Sequence, residues 1–64
     1  MKIVIEGMHS PTCVNLVRRA LEQVPGLQVR HVSMGSAAVD GDATQRAAAL
    51  AAIEKAGFQP HTSA

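Results

Sequence analysis

Glycine and proline punctuate this chain so regularly that no long element can form, and that constrains the fold more than any other feature. Gly7, Pro11, Pro25-Gly26, Gly35, Gly41, Gly57 and Pro60 divide it into short stretches, each with a distinct pattern. Lys2-Ile3-Val4-Ile5-Glu6 is a β-branched run stopped by Gly7 and reads as a strand. Ser10-Pro11 offers a helix N-cap followed by proline at the first helical position. Apolar residues then fall at 13, 14, 16, 17, 20, 21 and 24, which makes an amphipathic helix that Pro25-Gly26 ends. Leu27 to Ser33 has strand composition, Gly35-Ser36 reads as a two-residue hairpin turn with glycine first, and Ala37 to Asp40 is the return strand. Asp42 and Gln45 are spaced as a capping-box variant ahead of a second helix over 43–56, with Gly57 as its C′ residue. Phe58 onward makes a last strand, which Pro60 confines to a sheet edge.

The order β-α-β-β-α-β, with right-handed crossovers, predicts an α+β, ferredoxin-like sandwich: a four-stranded antiparallel sheet in the order 4-1-3-2 with two helices on one face. A chain of 64 residues has surface enough for one small core, so residues 1–64 are read as one domain. Eleven alanines and a single ring, Phe58, mean a core of small aliphatics, and the alanines of the second helix imply close packing on the sheet together with high helix propensity. This topology gathers residues 7–12, the Met34-Gly35-Ser36 turn and the Lys55-Ala56-Gly57-Phe58 corner at one end. Pro25-Gly26 and Gly41-Asp42 lie at the other.

Composition excludes several classes of function. A net charge of +1 and one aromatic ring provide neither the basic footprint nor the stacking platform of a nucleic-acid binder. The longest apolar run, Ala47–Ile53, is far short of a membrane span, so no membrane insertion is expected. The chain reads as cytoplasmic, and its lone Cys13 suits a reducing compartment. With no carboxylate pair, no phosphate-cradling glycine loop and no room in the core for a substrate cavity, it does not read as an enzyme.

Cys13 lies in the first turn of the first helix, where unpaired backbone N–H groups and the positive end of the dipole favour a thiolate. A small buried residue on the apolar face is the other reading of that position, and position alone leaves both open.

The segment Gly7-Met8-His9-Ser10-Pro11-Thr12-Cys13 resembles the heavy-metal-associated domain, whose strand-to-helix loop carries Gly-Met-x-Cys-x-x-Cys. Gly7, Met8 and Cys13 match that pattern, and Ser10 replaces the first cysteine. The resemblance extends along the chain through element order, the Val24-Pro25-Gly26 turn and the Lys55-Ala56-Gly57-Phe58 corner. It implies Cu(I) held linearly between two thiolates and passed on by ligand exchange, as in small copper chaperones and the N-terminal modules of copper-transporting P-type ATPases. Such an ATPase is thus an implied partner.

One of those thiolates is missing here. A serine hydroxyl is a hard oxygen and a poor Cu(I) ligand, so Ser10 is assigned the N-cap and the metal is assigned to Cys13 with a borrowed ligand. His9, the Cys13 of a second chain in a metal-bridged homodimer, or a small external thiol could supply it. Zn, Hg and Ag are further metals that such donors accept. Met8 is read as core, Met34 as an apolar plug, His31 as a ligand only if it faces the loop, and His61 as surface. The resemblance puts a lysine or aromatic beside the metal, where Lys55 and Phe58 stand, although a helix C-terminal cation and a core ring explain them equally. Arg18 and Arg19 fall on the exposed face of the first helix, where the resemblance implies a charged docking surface and a merely solvated face is the other reading. The competing function is an interaction or regulatory module that kept the fold without the metal, and a thiol redox role comes third.

Overall fold

In a computed structural model that describes residues 1–62, alternation along β1 (Lys2–Glu6) turns Ile3 and Ile5 inward and leaves Lys2, Val4 and Glu6 exposed. The chain continues through α1 (Pro11–Glu22), β2 (Gln28–Ser33), β3 (Ser36–Asp40), α2 (Ala43–Lys55) and β4 (Gln59–Thr62). The strands form one sheet in the order β2-β3-β1-β4 with every neighbouring pair antiparallel, which is the expected 4-1-3-2 arrangement. β4 is an edge strand, so Pro60 costs no interior ladder bond. Ser63 and Ala64, which the expected 1–64 domain includes, lie outside the described residues.

Both helices bury one stripe against the inner face of the sheet. Val17 and Leu21 of α1 and Ala49 and Ile53 of α2 are fully buried with Ile3, Ala37 and Val39, while Met8 and Phe58 close the loop end of the same cluster. Among the described residues no polar or charged side chain is buried, so the core is built of apolar side chains.

Three details differ from the sequence reading. The β2–β3 register shifts by one residue between Val29 and His31, a bulge that lets Val29 and Val32, three apart, both face inward opposite Val39 and Ala37, two apart. The hairpin turn is Met34-Gly35, since Ser33 pairs with Ser36, and the positive φ of 84° falls on glycine in the second turn position rather than the first. Of the alanines in α2, Ala49 is buried and Ala52 half-buried, whereas Ala43, Ala47, Ala48 and Ala51 face solvent. Close packing on the sheet thus explains Ala49, and helix propensity explains the exposed ones.

Both ends of α2 are closed as its sequence predicts. Asp42 Oδ1 accepts from the Gln45 N–H at 2.8 Å, and Gln45 Oε1 accepts from the Asp42 N–H at 2.9 Å. At the other end Gly57, at φ 101°, donates to the Glu54 carbonyl and Phe58 donates to the Ile53 carbonyl, the paired bonds of a Schellman motif. Asp42→Ala removes one half of the reciprocal cap and should lower unfolding free energy by about 0.5–2 kcal/mol. Urea denaturation checks this, with an unchanged slope expected because the fold is retained.

Candidate metal centre

Gly7 ends β1 at φ 97°, a conformation that turns the chain sharply and that other residues adopt only under strain. The next residue, Met8, is driven into the core at 8% exposure, and its Sδ accepts a hydrogen bond from the Gly35 N–H at 3.2 Å. Ile5 N–H in turn donates to the Gly35 carbonyl at 2.8 Å, which clamps the Met34-Gly35 turn against the root of the loop. Phe58 is buried beside Gly7, so the three segments expected at this end do meet. At the opposite end, Gln45 Nε2 donates to the Pro25 carbonyl at 3.3 Å.

Beyond Met8 the chain comes to the surface. His9 is exposed, Ser10 half-buried, and Pro11 opens α1. Cys13 stands half-buried against the core, its N–H bonded to the Ser10 carbonyl at 3.0 Å. Ser10 has the extended backbone of a cap, at φ −153° and ψ 163°, but its side chain makes no capping bond. The hydroxyl lies 3.6 Å from Cys13 Sγ instead. That corrects the assignment of Ser10 as a side-chain cap: of the two amides that a cap oxygen serves, those of Thr12 and Cys13, the second is already held by the Ser10 carbonyl, and the hydroxyl is turned toward the sulfur.

The Cys13 thiol is held below its ordinary range. The His9 backbone amide contributes most, followed by the Ser10 hydroxyl, with the amides of Ser10 and Cys13 adding to them against the upward push of partial burial. A thiolate here is supported mainly by donors of the loop that enters the helix.

The His9 imidazole is exposed to solvent, and what His9 contributes to the Cys13 thiol is the pull of its backbone amide. Among the described residues no three His, Cys, Asp or Glu side chains converge. His31 is exposed on β2 just after the bulge, opposite Ala38. His61 is a surface residue paired with Glu6 Oε2 at 2.6 Å across β1 and β4. Met34 is not a plug: the tight turn projects it outward at 49% exposure. Leu16, counted with the apolar face of α1, is likewise 46% exposed. Lys55 stands exposed in the last turn of α2, Phe58 is a core ring, and Arg18 and Arg19 are exposed. The sulfur-facing role of Ser10 escaped the sequence reading, although cysteine three residues after the cap is the signal that could have revealed it. An open hollow of about 400 Å³ between the helices is lined by Ala20, Gln23, Val24, Ala52, Lys55 and Ala56 and includes no group of the loop.

Among the described residues no helix is long and apolar enough to cross a membrane. No curated protein matches the chain. A solved structure titled "Crystal structure of the CopA C-terminal metal binding domain" superposes on it with a TM-score of 0.77 and 30% sequence identity, over 92% of this chain and 81% of that one. The family model described as the heavy-metal-associated domain matches residues 2–59. That match spans β1 through the first residue of β4 and takes in the whole loop built around Cys13, so the chain belongs to the heavy-metal-associated domain family.

Proposed function

We propose that this chain carries Cu(I) on the Cys13 thiolate and passes it on by ligand exchange, with a copper-transporting P-type ATPase as the class of recipient. The observation that carries the reading is the half-buried Cys13 sulfur, drawn toward its thiolate form by the His9 amide and the Ser10 hydroxyl at the rim of a heavy-metal-associated fold. A thiolate is a soft donor and Cu(I) a soft ion, so the pair match where Ser10 as a ligand would not. Tetrahedral zinc needs four ligands, and the loop offers only Cys13 and His9. Ag(I) and Hg(II) share the softness of Cu(I) and serve as probes. The cytoplasm, which keeps a single thiol reduced, is the compartment that fits.

The second ligand comes from one of three sources: His9 swung in from solvent, the Cys13 of another copy, or a small thiol. The exposed imidazole of His9 and the surface position of the loop are compatible with each.

Reduced protein should compete with a chromophoric Cu(I) chelator under anaerobic conditions, and Cys13→Ser should abolish the competition. Loss on His9→Ala as well selects an intrachain Cys/His site. Retention on His9→Ala, with Cu(I)-dependent sedimentation as a dimer that millimolar glutathione dissolves, selects the bridged pair. A wild-type protein that never competes selects the metal-free interaction module instead.

Ser10→Cys restores the two-thiolate loop and should raise Cu(I) affinity by orders of magnitude in the same titration. Iodoacetamide alkylation of Cys13 should show a midpoint below the free-thiol value of about 8.5. Because the folded pKa is depressed, ionisation of Cys13 adds stability that is fully present above the unfolded pKa and is lost as pH falls through the folded one. Ser10→Ala should move the alkylation midpoint upward while changing stability by less than about 0.5 kcal/mol, since no capping bond is removed.

A further inference from the structure

Ser10 stands at the cap position with a capping residue's backbone, yet its side chain is free of the cap. The Ser10 carbonyl has taken the Cys13 N–H at 3.0 Å, one of the two amides that a cap oxygen serves. Among the described residues the partner of the hydroxyl is Cys13 Sγ at 3.6 Å, three residues along the same helical turn. Both residues are half-buried, which reduces competition from water. Once the sulfur is ionised it has no proton to give, so the hydroxyl is the donor.

We infer that Ser10 is a positioning residue that speeds metal release: its hydroxyl holds the Cys13 sulfur and stabilises it as a leaving group when Cu(I) moves to an incoming thiol. This rests on the Cu(I) reading above and adds a control on the same site. A free thiolate carries more negative charge than a metal-bound one, so a hydrogen bond to it is stronger in the metal-free state. In the exchange, a bond forms between Cu(I) and the sulfur of the incoming thiolate while the bond from Cu(I) to Cys13 Sγ breaks. The electron pair stays on Sγ, copper remains Cu(I), and no electron is transferred. The Ser10 hydroxyl then bonds the freed sulfur. Position 10 is a second metal ligand in the family pattern that the chain resembles, and here it opposes retention.

The test uses wild type, Ser10→Ala and Ser10→Thr at pH 9.5, above the ordinary free-thiol value of about 8.5. The first arm follows Cu(I) transfer from loaded protein to a chromophoric chelator by stopped flow. Ser10→Ala should release about three- to tenfold more slowly, and Ser10→Thr, which keeps the hydroxyl, should match wild type. The second arm needs no metal: iodoacetamide should alkylate Cys13 of Ser10→Ala faster than wild type at this pH, because an unbonded thiolate is the stronger nucleophile. Equal alkylation in all three variants, or equal release by loaded protein, overturns the inference. A wild type that shows the alkylation difference but holds no Cu(I) upholds the Ser10–Cys13 bond while overturning both the release role and the copper reading. Thermal unfolding of the variants confirms that each is folded when assayed.

Discussion

Ile3 and Ile5, at 0% and 3% exposure, are the inward residues of a central strand, and the position of every other element follows from their burial. β1 lies between β3 and β4, so the covered face of the sheet is centred on these two side chains. Each contributes about 1.5–3 kcal/mol when fully buried, a large share for a chain whose net stability is of order 5–15 kcal/mol. A slip of one residue would turn both outward. The same register fixes the loop, because Gly7 and Met8 follow directly and Met8 locks beneath the Met34-Gly35 turn. From there to Val17 and Leu21, both fully buried, the chain has little freedom, and Cys13 is placed between the two anchors.

An all-apolar core keeps the chemistry at its rim. Full burial of Cys13 would disfavour the thiolate, and full exposure would lose the loop donors to water. The half-buried position retains those donors at a modest desolvation cost, and lowering outweighs raising in the balance on its pKa. The hydroxyl among them is available because Ser10 keeps the backbone of a cap while its side chain makes no capping bond. What looks like a weak cap is the arrangement that turns a hydroxyl toward sulfur.

The readable parts of the sequence were those whose cause is local. The alternation of Lys2 to Glu6, the Asp42/Gln45 box and Gly57 each act within a few residues, and each appears as the pattern implies. Ser10 had the composition of a cap and occupies its position, but its hydroxyl chose between an amide and a sulfur on geometry that composition does not carry. The bulge at Arg30 could not be read because it answers a mismatch between β2 and its partner strand, visible only once Val39 and Ala37 stand opposite. Met34 and Leu16 are apolar in type and exposed in fact, since a tight turn and the outer edge of a helix put them beyond the reach of the core.

Replacing one loop thiolate by a hydroxyl changes the thermodynamic order of the site as well as its strength. Two thiolates on one loop act at a mutual effective concentration of millimolar or more, so a metal once bound meets the second ligand at no cost in freedom of another molecule. With Ser10 in place, a ligand from outside the loop must be ordered each time, unless His9 gives up its solvent-facing freedom to serve. On the copper reading, occupancy then depends on the concentration of whatever supplies that ligand. A docked recipient with its own thiolates raises that local concentration and offers the ion a chelate that this chain lacks. On that reading the direction of transfer follows from ligand count, and the bond between Ser10 and Cys13 acts on its rate.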